Sequence, residues 1–316
     1  MLRTHLRRRL MVIGTLPAVA GIVLLVAYPV VRTVYLSLTS WDGASAPKFI
    51  GTTNFRDITG QGGDLWATVL RTVRFSLVAT IGVMVIGTLL AAALSAGIPG
   101  ARFFRVVWFL PMVVPVSVSG VYWVNAFQPT TGLSNYLLGK VGLGTTHAWL
   151  ADPHAALYVT SFVWVWISTG FAMIIMLGAM NGVPVEIYEA AEMDGCSVLR
   201  RFFSITLPLV RPTLATVALL EIIFTFNGFT LIWAMTQGGP GTSTQILPVE
   251  VYRQAFINGN YGAASAQAVV GGVLLLLVSV VMTRFIRSSS GSGRARAGLI
   301  RGRANRSALA VGQGAK

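Results

Sequence analysis

The segment PVEIYEAAEMDGCSVLRRFFSITLP occupies residues 184–208 and contains four of the ten acidic residues of the chain. Its first residue, Pro184, suits the first turn of a helix, and Gly195 suits the position just after a helix end. The first half of the segment therefore predicts a short helix between these two residues. A second short helix is predicted to start at Ser197 and to end before Pro208.

The acidic residues of the first helix lie at helical spacing. Glu186, Glu189 and Glu192 follow each other at i, i+3 and i+6 and fall roughly on one face. Acids near a helix N-terminus are also stabilised by the helix dipole. An amphipathic hairpin of this kind suits docking into a groove of a partner protein, but a solvated charged loop would show the same pattern.

The rest of the chain is strongly apolar. Of 316 residues, 54% are hydrophobic and only 11% are charged, and the mean hydropathy is +0.70. Several stretches without charge exceed the ~18 apolar residues that a bilayer-spanning helix requires. The single cysteine, Cys196, excludes an internal disulfide and any metal site built from cysteines. We therefore interpret the chain as an all-α protein that crosses a membrane several times.

Six transmembrane helices are predicted, each bounded by Gly, Pro, Asn or charged residues. They cover approximately residues 10–38, 74–97, 103–127, 155–181, 212–235 and 263–285. The first apolar run continues past the small residues 18–20, which resemble a signal-peptide cleavage site, so the first helix is interpreted as uncleaved. The chain is thus divided into a tail with the first helix (1–38), an external loop (39–70), a five-helix core (71–287) with a cytoplasmic loop (182–211), and a basic disordered tail (288–316).

Lysine and arginine counts predict the orientation in the membrane. With a cytoplasmic N-terminus, seventeen basic residues lie inside and seven outside, and the C-terminus is cytoplasmic as well. Much of the net charge of +14 is therefore explained by topology rather than by binding to a nucleic acid. The tail 288–316, rich in Ser, Gly and Arg, is expected to rest near anionic membrane lipid.

The chain shows no sign of chemistry of its own. Gly139-Lys140 is followed by Val141, and Ser134 stands at the position of the first glycine of a phosphate-binding loop, so that motif is missing. Neither a Ser/His/Asp arrangement nor a cluster of metal ligands is present in the sequence. We expect no catalytic residue, no metal site and no enzymatic activity in this chain.

A long, position-specific motif begins inside the first predicted helix of the hairpin and extends through the second. Glu189-Ala190-Ala191 is followed by Gly195 and then by Ile205, Leu207 and Pro208. At every fixed position and spacing this resembles the EAA loop of binding-protein-dependent ABC importer permeases. Further motifs along nearly the whole chain resemble the carbohydrate permeases of the MalF type. They are Asn54-Phe55, Phe104-Arg105 with Leu110-Pro111, Thr236-x-Gly238-Gly239-Pro240 with Thr244, Tyr252-Arg253-x-Ala255-Phe256, and Gly262-x-Ala264-Ser265-Ala266.

The resemblance has visible departures. Six helices are predicted here, whereas the maltose permease has eight, and residues 39–70 are too short to form the large periplasmic domain of that protein. Cys196 stands where many relatives have alanine. A cysteine at that position can act as a small hydrophobic residue, so the exchange changes little.

The resemblance implies the MetI-like fold of ABC type I importer permeases and a function in solute uptake across the bacterial plasma membrane. The EAA loop would form a coupling helix in a cleft of a separate ABC ATPase subunit, which binds ATP and Mg²⁺, while this chain holds no cofactor. The other implied partners are a MalG-like second permease subunit and an extracytoplasmic solute-binding protein. The implied coupling residues are Glu189, Ala190, Ala191, Asp194, Gly195, Ile205, Leu207 and Pro208.

Polar and aromatic residues in two helices are candidates for the solute pathway. Polar residues within a membrane are costly and are functional candidates by default, and Glu221 is the only acid deep in any predicted span. Counting from the EAA loop, sugar contacts of the maltose permease fall near several of the same residues. The candidates are Trp164, Ile167, Ser168, Phe171, Glu221, Phe224, Thr225, Asn227 and Thr230.

Alternatives to a sugar importer remain open at this point. A permease for a glycerol phosphodiester or another polar solute would carry the same motifs. An ion-coupled secondary transporter would require several ionisable groups within the membrane, and only Glu221 is found. A membrane scaffold without transport activity would not need the EAA spacing. For each candidate aromatic residue, packing between helices or against lipid is the alternative to solute contact. For Glu221 the alternative to solute contact is a structural partner across the interface between permease subunits.

Overall fold

A computed structural model describes residues 14–60, 63–143, 146–284 and 286, and most of this part of the chain is helical. The N-terminal arginines and the basic tail 288–316 lie outside the described residues, as does the interaction predicted for that tail. The helices are α1 (Gly14–Ser37), α2 (Thr53–Thr59), α3 (Leu65–Ser95), α4 (Ala101–Val113), α5 (Val116–Ala126), α6 (Leu133–Lys140), α7 (Ala156–Asn181), α8 (Val185–Met193), α9 (Val198–Phe226), α10 (Phe229–Met235), α11 (Leu247–Tyr252) and α12 (Tyr261–Arg284). Two short antiparallel strands, β1 (Thr39–Ser40) and β2 (Lys48–Phe49), pair with Thr39 opposite Phe49.

The prediction of an all-α membrane protein is confirmed. Within the described residues, α1, α3, α7, α9 and α12 are each long and apolar enough to cross a bilayer. A bent pair, α4 with α5, supplies a sixth crossing if the pair is counted as one span. The first, fourth and sixth predicted spans agree with α1, α7 and α12 to within a few residues, apart from the undescribed residues at their ends.

The prediction of one continuous third helix over residues 103–127 is wrong. The chain turns by 98° between α4 and α5. Val114, which directly follows α4, and Pro115, which precedes α5, both have extended ψ angles near 132°. A residue before proline is pushed out of the helical region by the proline ring, so the break has a local cause.

Helix α3 begins earlier than predicted. It starts at Leu65 rather than near Arg74. Arg71, which lies before the predicted start of this span, is inside the helix in the structure. It forms an ion pair of 2.9 Å with Asp64, the residue just before α3. The segment predicted as an external loop is therefore largely structured, because it contains both strands, α2 and the first turns of α3.

One compact unit combines the described residues of 1–72 with residues 245–274. Its apolar core contains Ile58, Leu65, Leu247, Ala263 and Ala266. The side-chain amide of the buried Asn54 donates hydrogen bonds to the carbonyls of Ser37 (2.9 Å) and Thr39 (2.8 Å). A Cβ atom on Gly262 would lie only 2.1 Å from the carbonyl oxygen of Thr39. Two of the sequence motifs, at Asn54 and Gly262, thus have structural roles in this unit.

The second compact unit comprises residues 73–244 and the described residues from 275 onward. Its core is formed around α7, most of whose residues are buried. Small residues allow close approach of the neighbouring helices. A Cβ atom on Gly170 would lie 2.5 Å from the backbone oxygen of Trp108 in α4, and one on Gly87 would lie 2.8 Å from Cβ of Ala172.

Helix α9 runs through two prolines. The predicted helix end before Pro208 and the predicted start of the fifth span near Pro212 are both wrong, because one helix of 29 residues continues from Val198 to Phe226. A π-helical turn at Phe202–Thr206 precedes Pro208, and there the N–H of Leu207 donates to the oxygen of Phe202. Such wider turns allow a helix to absorb an irregularity without ending.

The fifth span also ends differently from the prediction. The chain breaks at Asn227 and Gly228, and the short α10 follows as a separate helix. A Cβ atom on Gly228 would lie 2.9 Å from the ring of Phe75 in α3, so glycine permits close packing at this break. After α10, the hydroxyl of Thr244 contacts that of Thr236 (2.6 Å) and donates to the carbonyl of Gly239 (2.8 Å). These bonds close the loop that carries the Gly-Gly-Pro motif.

Candidate functional site

Helix α8 begins and ends at the residues that the sequence predicts. Pro184 is the N-cap residue, directly before Val185. At the other end, Gly195 has φ = +70°, in the left-handed region that glycine adopts without strain. The N–H of Gly195 donates to Glu192 O and that of Cys196 donates to Ala191 O, both at 2.9 Å. This pair of bonds is the Schellman motif, which satisfies the last carbonyls of a helix.

Within the part of the chain that the structure describes, one side of α8 is largely exposed. Glu186, Glu189, Ala190 and Glu192 are exposed, whereas Ala191 is buried against the rest of the subunit. Met193 is 88% exposed, although a methionine is apolar. We call the exposed side of α8, together with the exposed turn at Asp194 and Gly195, the coupling surface. Its mixture of carboxylates, a small residue and an apolar side chain suits contact with another protein.

Three side-chain contacts connect α8 to the start of α9. The hydroxyl of Tyr188 lies 3.2 Å from the hydroxyl of Thr206, in the π-helical turn of α9. The guanidinium of Arg201 lies 5.8 Å from the centre of the Tyr188 ring and 3.6 Å from a carboxylate oxygen of Glu192. Since Glu192 is largely exposed, this ion pair contributes little stability, but the three contacts together fix the angle between the helices.

The remaining coupling candidates lie around the same turn. Ile205 and Leu207 are half-buried, whereas Pro208 is exposed. Ser197 is the N-cap of α9, and its hydroxyl accepts a hydrogen bond of 3.4 Å from the N–H of Arg200. A cavity of about 370 Å³ separates this turn from the end of α3 and is lined by Tyr188, Arg201 and Thr206 on one side and by Leu89 and Ala92 on the other, among other residues.

The structure divides the predicted solute-pathway residues into two groups. On α9, Phe224 is exposed, and Asn227 and Thr230 beyond its end are exposed too. Phe171 on α7 is half-buried, and its ring centre lies 5.8 Å from that of Phe224. The second group is buried within the subunit: Trp164, Ile167, Ser168, Glu221 and Thr225.

This division corrects the arrangement expected for α9. The i, i+3, i+4 and i+7 spacing of Glu221, Phe224, Thr225 and Gly228 predicts one shared helix face. In the structure Glu221, Thr225 and Gly228 are buried, and Phe224 lies on the exposed side with Asn227. Because α9 is apolar on nearly all sides, its sequence pattern does not indicate which face packs inside the protein.

Glu221 is buried without a conventional partner. Its side chain is 0% exposed, and the indole N–H of Trp164 faces the carboxylate. Within the part of the chain that the structure describes, however, neither carboxylate oxygen nor the indole nitrogen makes a hydrogen bond of good geometry. A buried polar group of this kind is uncommon and requires an explanation.

The surroundings of Glu221 are polar on the α3 side. The hydroxyls of Ser76 in α3 and Thr225 in α9 are 2.6 Å apart. Thr80 lies one helical turn after Ser76, and Glu221 one turn before Thr225, so the antiparallel register places Thr80 and Glu221 at the same level. The hydroxyl of Thr80 is also buried without a hydrogen-bond partner among the described residues.

These features occur in a known family. A sequence model of the family described as "Binding-protein-dependent transport system inner membrane component" matches residues 83–290, which include the C-terminal part of α3, all of α4 to α12 and the coupling surface. The chain belongs to this family. It is therefore an inner-membrane permease component of a binding-protein-dependent transport system.

Curated relatives of this permease include two diacetylchitobiose uptake system permease proteins of Streptomyces coelicolor. NgcF is 32% identical over 305 residues (92% of this chain and 86% of NgcF), and DasB is 31% identical over 284 residues (86% and 84%). The sn-glycerol-3-phosphate transport system permease protein UgpA of Salmonella typhimurium is 30% identical over 275 residues (86% and 92%). The relatives thus match this permease over most of their length.

A solved structure has the same fold. A chain in the crystal structure of a bacterial ABC transporter involved in the import of the acidic polysaccharide alginate superimposes with a TM-score of 0.77. The match covers 91% of this permease and 98% of that chain, at 19% identity. The six-helix membrane architecture expected from the sequence is thus the fold of an importer permease.

Several residues of the permease site were not found by sequence reasoning. Tyr188 and Thr206 are 18 positions apart and meet only because α9 continues through Pro208. The exposure of Met193 could not be predicted from the sequence, because an apolar residue in a helical hairpin is usually buried. Thr80 is one of several hydroxyl residues in α3, and the sequence does not indicate that it lies at the level of Glu221.

Proposed function

We propose that this permease is the membrane subunit of an ATP-driven importer for a sugar or a sugar derivative, and that the coupling surface of α8 binds a separate ATPase. The observation that carries the proposal is the continuity of α9. Its 29 residues span about 44 Å, and Thr206, which contacts Tyr188, lies about 27 Å along this helix from the exposed Phe224. A displacement of α8 would therefore be passed through one rigid helix to the solute pathway.

The partners follow from the site. In this proposal the coupling residues are Glu189, Ala190, Ala191, Asp194, Gly195, Ile205, Leu207 and Pro208. Glu189 supplies a polar contact, Ala190 permits close approach, and Gly195 forms the turn that ends the helix. ATP and Mg²⁺ are bound by the ATPase subunits. A MalG-like second permease covers the exposed side of the pathway, an extracytoplasmic binding protein delivers solute, and both termini lie in the cytoplasm.

The proposed pathway has two layers. Phe171, Phe224, Asn227 and Thr230 form the surface that meets solute first, with an aromatic pair and two hydrogen-bonding side chains. Sugars have apolar C–H faces and a rim of hydroxyls, which such a surface complements. Behind it, Trp164, Ile167, Ser168, Glu221 and Thr225 form a second layer that solute reaches when α9 moves away from α3.

The choice of solute rests on the relatives and on charge. NgcF and DasB belong to diacetylchitobiose uptake systems. UgpA, from a glycerol-3-phosphate system, makes a phosphorylated solute the second candidate. The four residues of the first layer carry no charge, and a phosphate group is usually bound by cationic side chains. A neutral or aminated sugar therefore fits this surface better than a phosphate ester does.

The test is uptake by the reconstituted transporter. The permease would be incorporated into liposomes with its second permease and its ATPase, and the binding protein added outside. We expect ATP-dependent uptake of diacetylchitobiose to exceed uptake of sn-glycerol-3-phosphate. Preference for the phosphate ester would favour the second candidate, and uptake without ATP would overturn the proposal.

A further inference from the structure

An aromatic cavity lies far from the coupling surface and has no part in the proposed transport path. Its volume is about 710 Å³, within the ~300–1,000 Å³ typical of ligand-binding sites. It is lined by the end of α5, by α6 and by the start of α7. Helix α7 has 26 residues, or about 39 Å, and leads to α8 at its other end. The aromatic cavity therefore lies at the membrane face opposite the coupling surface.

The wall of the aromatic cavity is built from large rings. The ring of Trp123 is stacked on that of Phe127, with centroids 5.4 Å apart, and Phe162 meets Trp123 edge-on at the same distance. Trp149 lies 6.5 Å from Phe127. Three leucines of α6 complete the wall: Leu133, Leu137 and Leu138.

Hydrogen bonds outside the cavity hold this wall in place. The indole N–H of Trp149 donates to Asn135 Oδ1 at 2.8 Å. The side-chain amide of Asn135 donates in turn to the carbonyls of Pro129 and His147, both at 2.9 Å. The loops on both sides of α6 are thus tied to one buried side chain, so the cavity is formed before any ligand enters.

The lining selects an apolar ligand. Among the described residues of the lining, Ser134 and Tyr158 supply the side-chain hydroxyls, the nitrogen of Trp149 is already used, and the buried indole nitrogen of Trp123 adds one donor. A sugar would leave most of its hydroxyls without partners here, which is costly in an apolar site. A hydrocarbon chain would lose no hydrogen bonds and would cover the rings.

The entrance of the aromatic cavity has the character of a membrane interface. Leu133, Leu137, Tyr158 and Phe162 line the cavity and are each at least half exposed. Such a patch faces lipid or a partner rather than water. Tryptophan and tyrosine are typical of the level at which lipid headgroups begin.

Lys140, the last residue of α6, places a cationic side chain beside the aromatic cavity. Lys140 is exposed, and its ammonium lies 5.4 Å from the centre of the Tyr136 ring. Within the residues that the structure describes, no carboxylate forms an ion pair with it. An anionic headgroup would find a counter-charge at this position.

We propose that the aromatic cavity binds one acyl chain of an anionic phospholipid from the membrane leaflet opposite the coupling surface, with the phosphate beside Lys140. The site does not depend on the sugar proposed above, because neither layer of the solute pathway contributes to it. Its consequence is a lipid bound where α5, α6 and α7 meet, at the end of α5 that lies away from the bend between α4 and α5.

The test uses the complete transporter in lipid nanodiscs with phosphatidylglycerol that carries a diazirine in one acyl chain. After illumination, mass spectrometry maps the attached lipid. We expect labelling of residues 123–162 at least tenfold above labelling of α1, which is exposed to the bilayer along its apolar stretch. Equal labelling of the two regions, or labelling of α1 without labelling of residues 123–162, would overturn the proposal.

Two variants separate the acyl-chain and headgroup contacts. Ser134→Trp fills the cavity from exposed α6 and should lower bound phospholipid about tenfold, with Val121→Trp on the exposed side of α5 as the control. Lys140→Gln should lower binding of phosphatidylglycerol about fivefold relative to phosphatidylcholine, since one lysine near a membrane surface contributes about that factor. Lys48→Gln, at the exposed lysine of β2, is its control. Unchanged binding in Ser134→Trp would show that no acyl chain enters, and co-purification of the partner subunits checks that each variant folds.

Discussion

The hydroxyl of Tyr188 in α8 lies 3.2 Å from the hydroxyl of Thr206 in α9. This contact joins the coupling surface to a helix that runs unbroken to the solute pathway. The π-helical turn at Phe202–Thr206 brings Thr206 to this position, because it lets α9 begin ten residues before its first interior proline. The contact is therefore the most direct link between a partner on α8 and movement of α9.

Removal of one hydroxyl from this link should weaken coupling. We expect Tyr188→Phe to reduce the number of solute molecules imported per ATP hydrolysed about fivefold, since a hydrogen bond of this kind contributes about 1 kcal/mol. The stability of the complex should hardly change, because the ring and its contact with Arg201 remain. Uptake and ATP hydrolysis measured together in proteoliposomes check this. Tyr122→Phe, on the exposed side of α5, is the control, and an equal effect there would refute a specific role.

Gly195 should be required for its conformation rather than for its size. A Cβ atom there would meet no neighbouring atom within 4 Å, but φ is +70°. A β-branched residue in this region costs about 1–2 kcal/mol, whereas asparagine tolerates it. Gly195→Val should therefore abolish most uptake, and Gly195→Asn should retain it. Gly178→Val, at an exposed glycine of α7 with open space around it, should be close to neutral. Full uptake by Gly195→Val would show that coupling does not require the Schellman turn at Gly195.

The exposed aromatic ring of the pathway should bind solute. Phe224→Ala removes one member of the pair with Phe171, so we expect the apparent affinity for solute in uptake to fall threefold to tenfold, in the range of single aromatic contacts. Basal ATP hydrolysis should stay the same. Phe49→Ala, in exposed β2, provides a matched loss of a phenylalanine. An unchanged KM for uptake in Phe224→Ala would place the pathway elsewhere.

The buried carboxylate of Glu221 should contribute more to uptake of a cationic solute than to uptake of a neutral one. Within the described chain, neither oxygen of Glu221 makes a hydrogen bond of good geometry, so a solute that reaches the second layer can bind them. Glu221→Gln keeps the shape and removes the charge. Uptake of an aminated sugar should fall about tenfold more than uptake of its neutral analogue. Equal losses for the two solutes would assign Glu221 to packing between helices.

The turn formed by Asp42 and Ser45, outside the membrane, should keep its hydrogen bonds to well below pH 4. Hydrogen bonds from the backbone N–H and hydroxyl of Ser45 and from the N–H of Ala44 lower the pKa of Asp42 from 3.8 to about 2. Because the pKa is lower in the folded turn, its stabilising effect is complete above about pH 4 and is lost as the pH falls toward 2. Carbon-13 NMR of the carboxyl group should show a midpoint near pH 2. Ser45→Ala should raise that midpoint, whereas the control Ser40→Ala should not. A midpoint near pH 4 in the unmodified protein would show that these hydrogen bonds do not lower the pKa of Asp42.

The sequence predicted the coupling helix better than the helices around it. Pro184 and Gly195 act through local backbone rules, so the limits of α8 could be predicted without tertiary structure. The bend at Pro115 and the continuity of α9 through Pro208 could not, because a proline can break, bend or be absorbed by a helix according to its neighbours.

The solute pathway shows a second limit of sequence reasoning. Helices α7 and α9 are apolar almost all round, so periodicity does not separate a face that packs inside the subunit from one that meets lipid or solute. Phe224 and Glu221 are three residues apart and equally prominent in the sequence, yet one is exposed and the other is completely buried. Only the packing of α3 against α9, through Ser76 and Thr225, distinguishes them.

The central claim is that the coupling surface of α8 binds a separate ATPase. The most direct measurement is mild detergent extraction of the tagged permease, followed by mass spectrometry of the proteins that co-purify. We predict recovery of a P-loop ATPase and a second six-helix permease. In the double variant Glu189→Ala, Gly195→Val, the ATPase should be lost and the second permease retained. Recovery of this chain alone, with solute uptake that survives depletion of ATP, would contradict the claim.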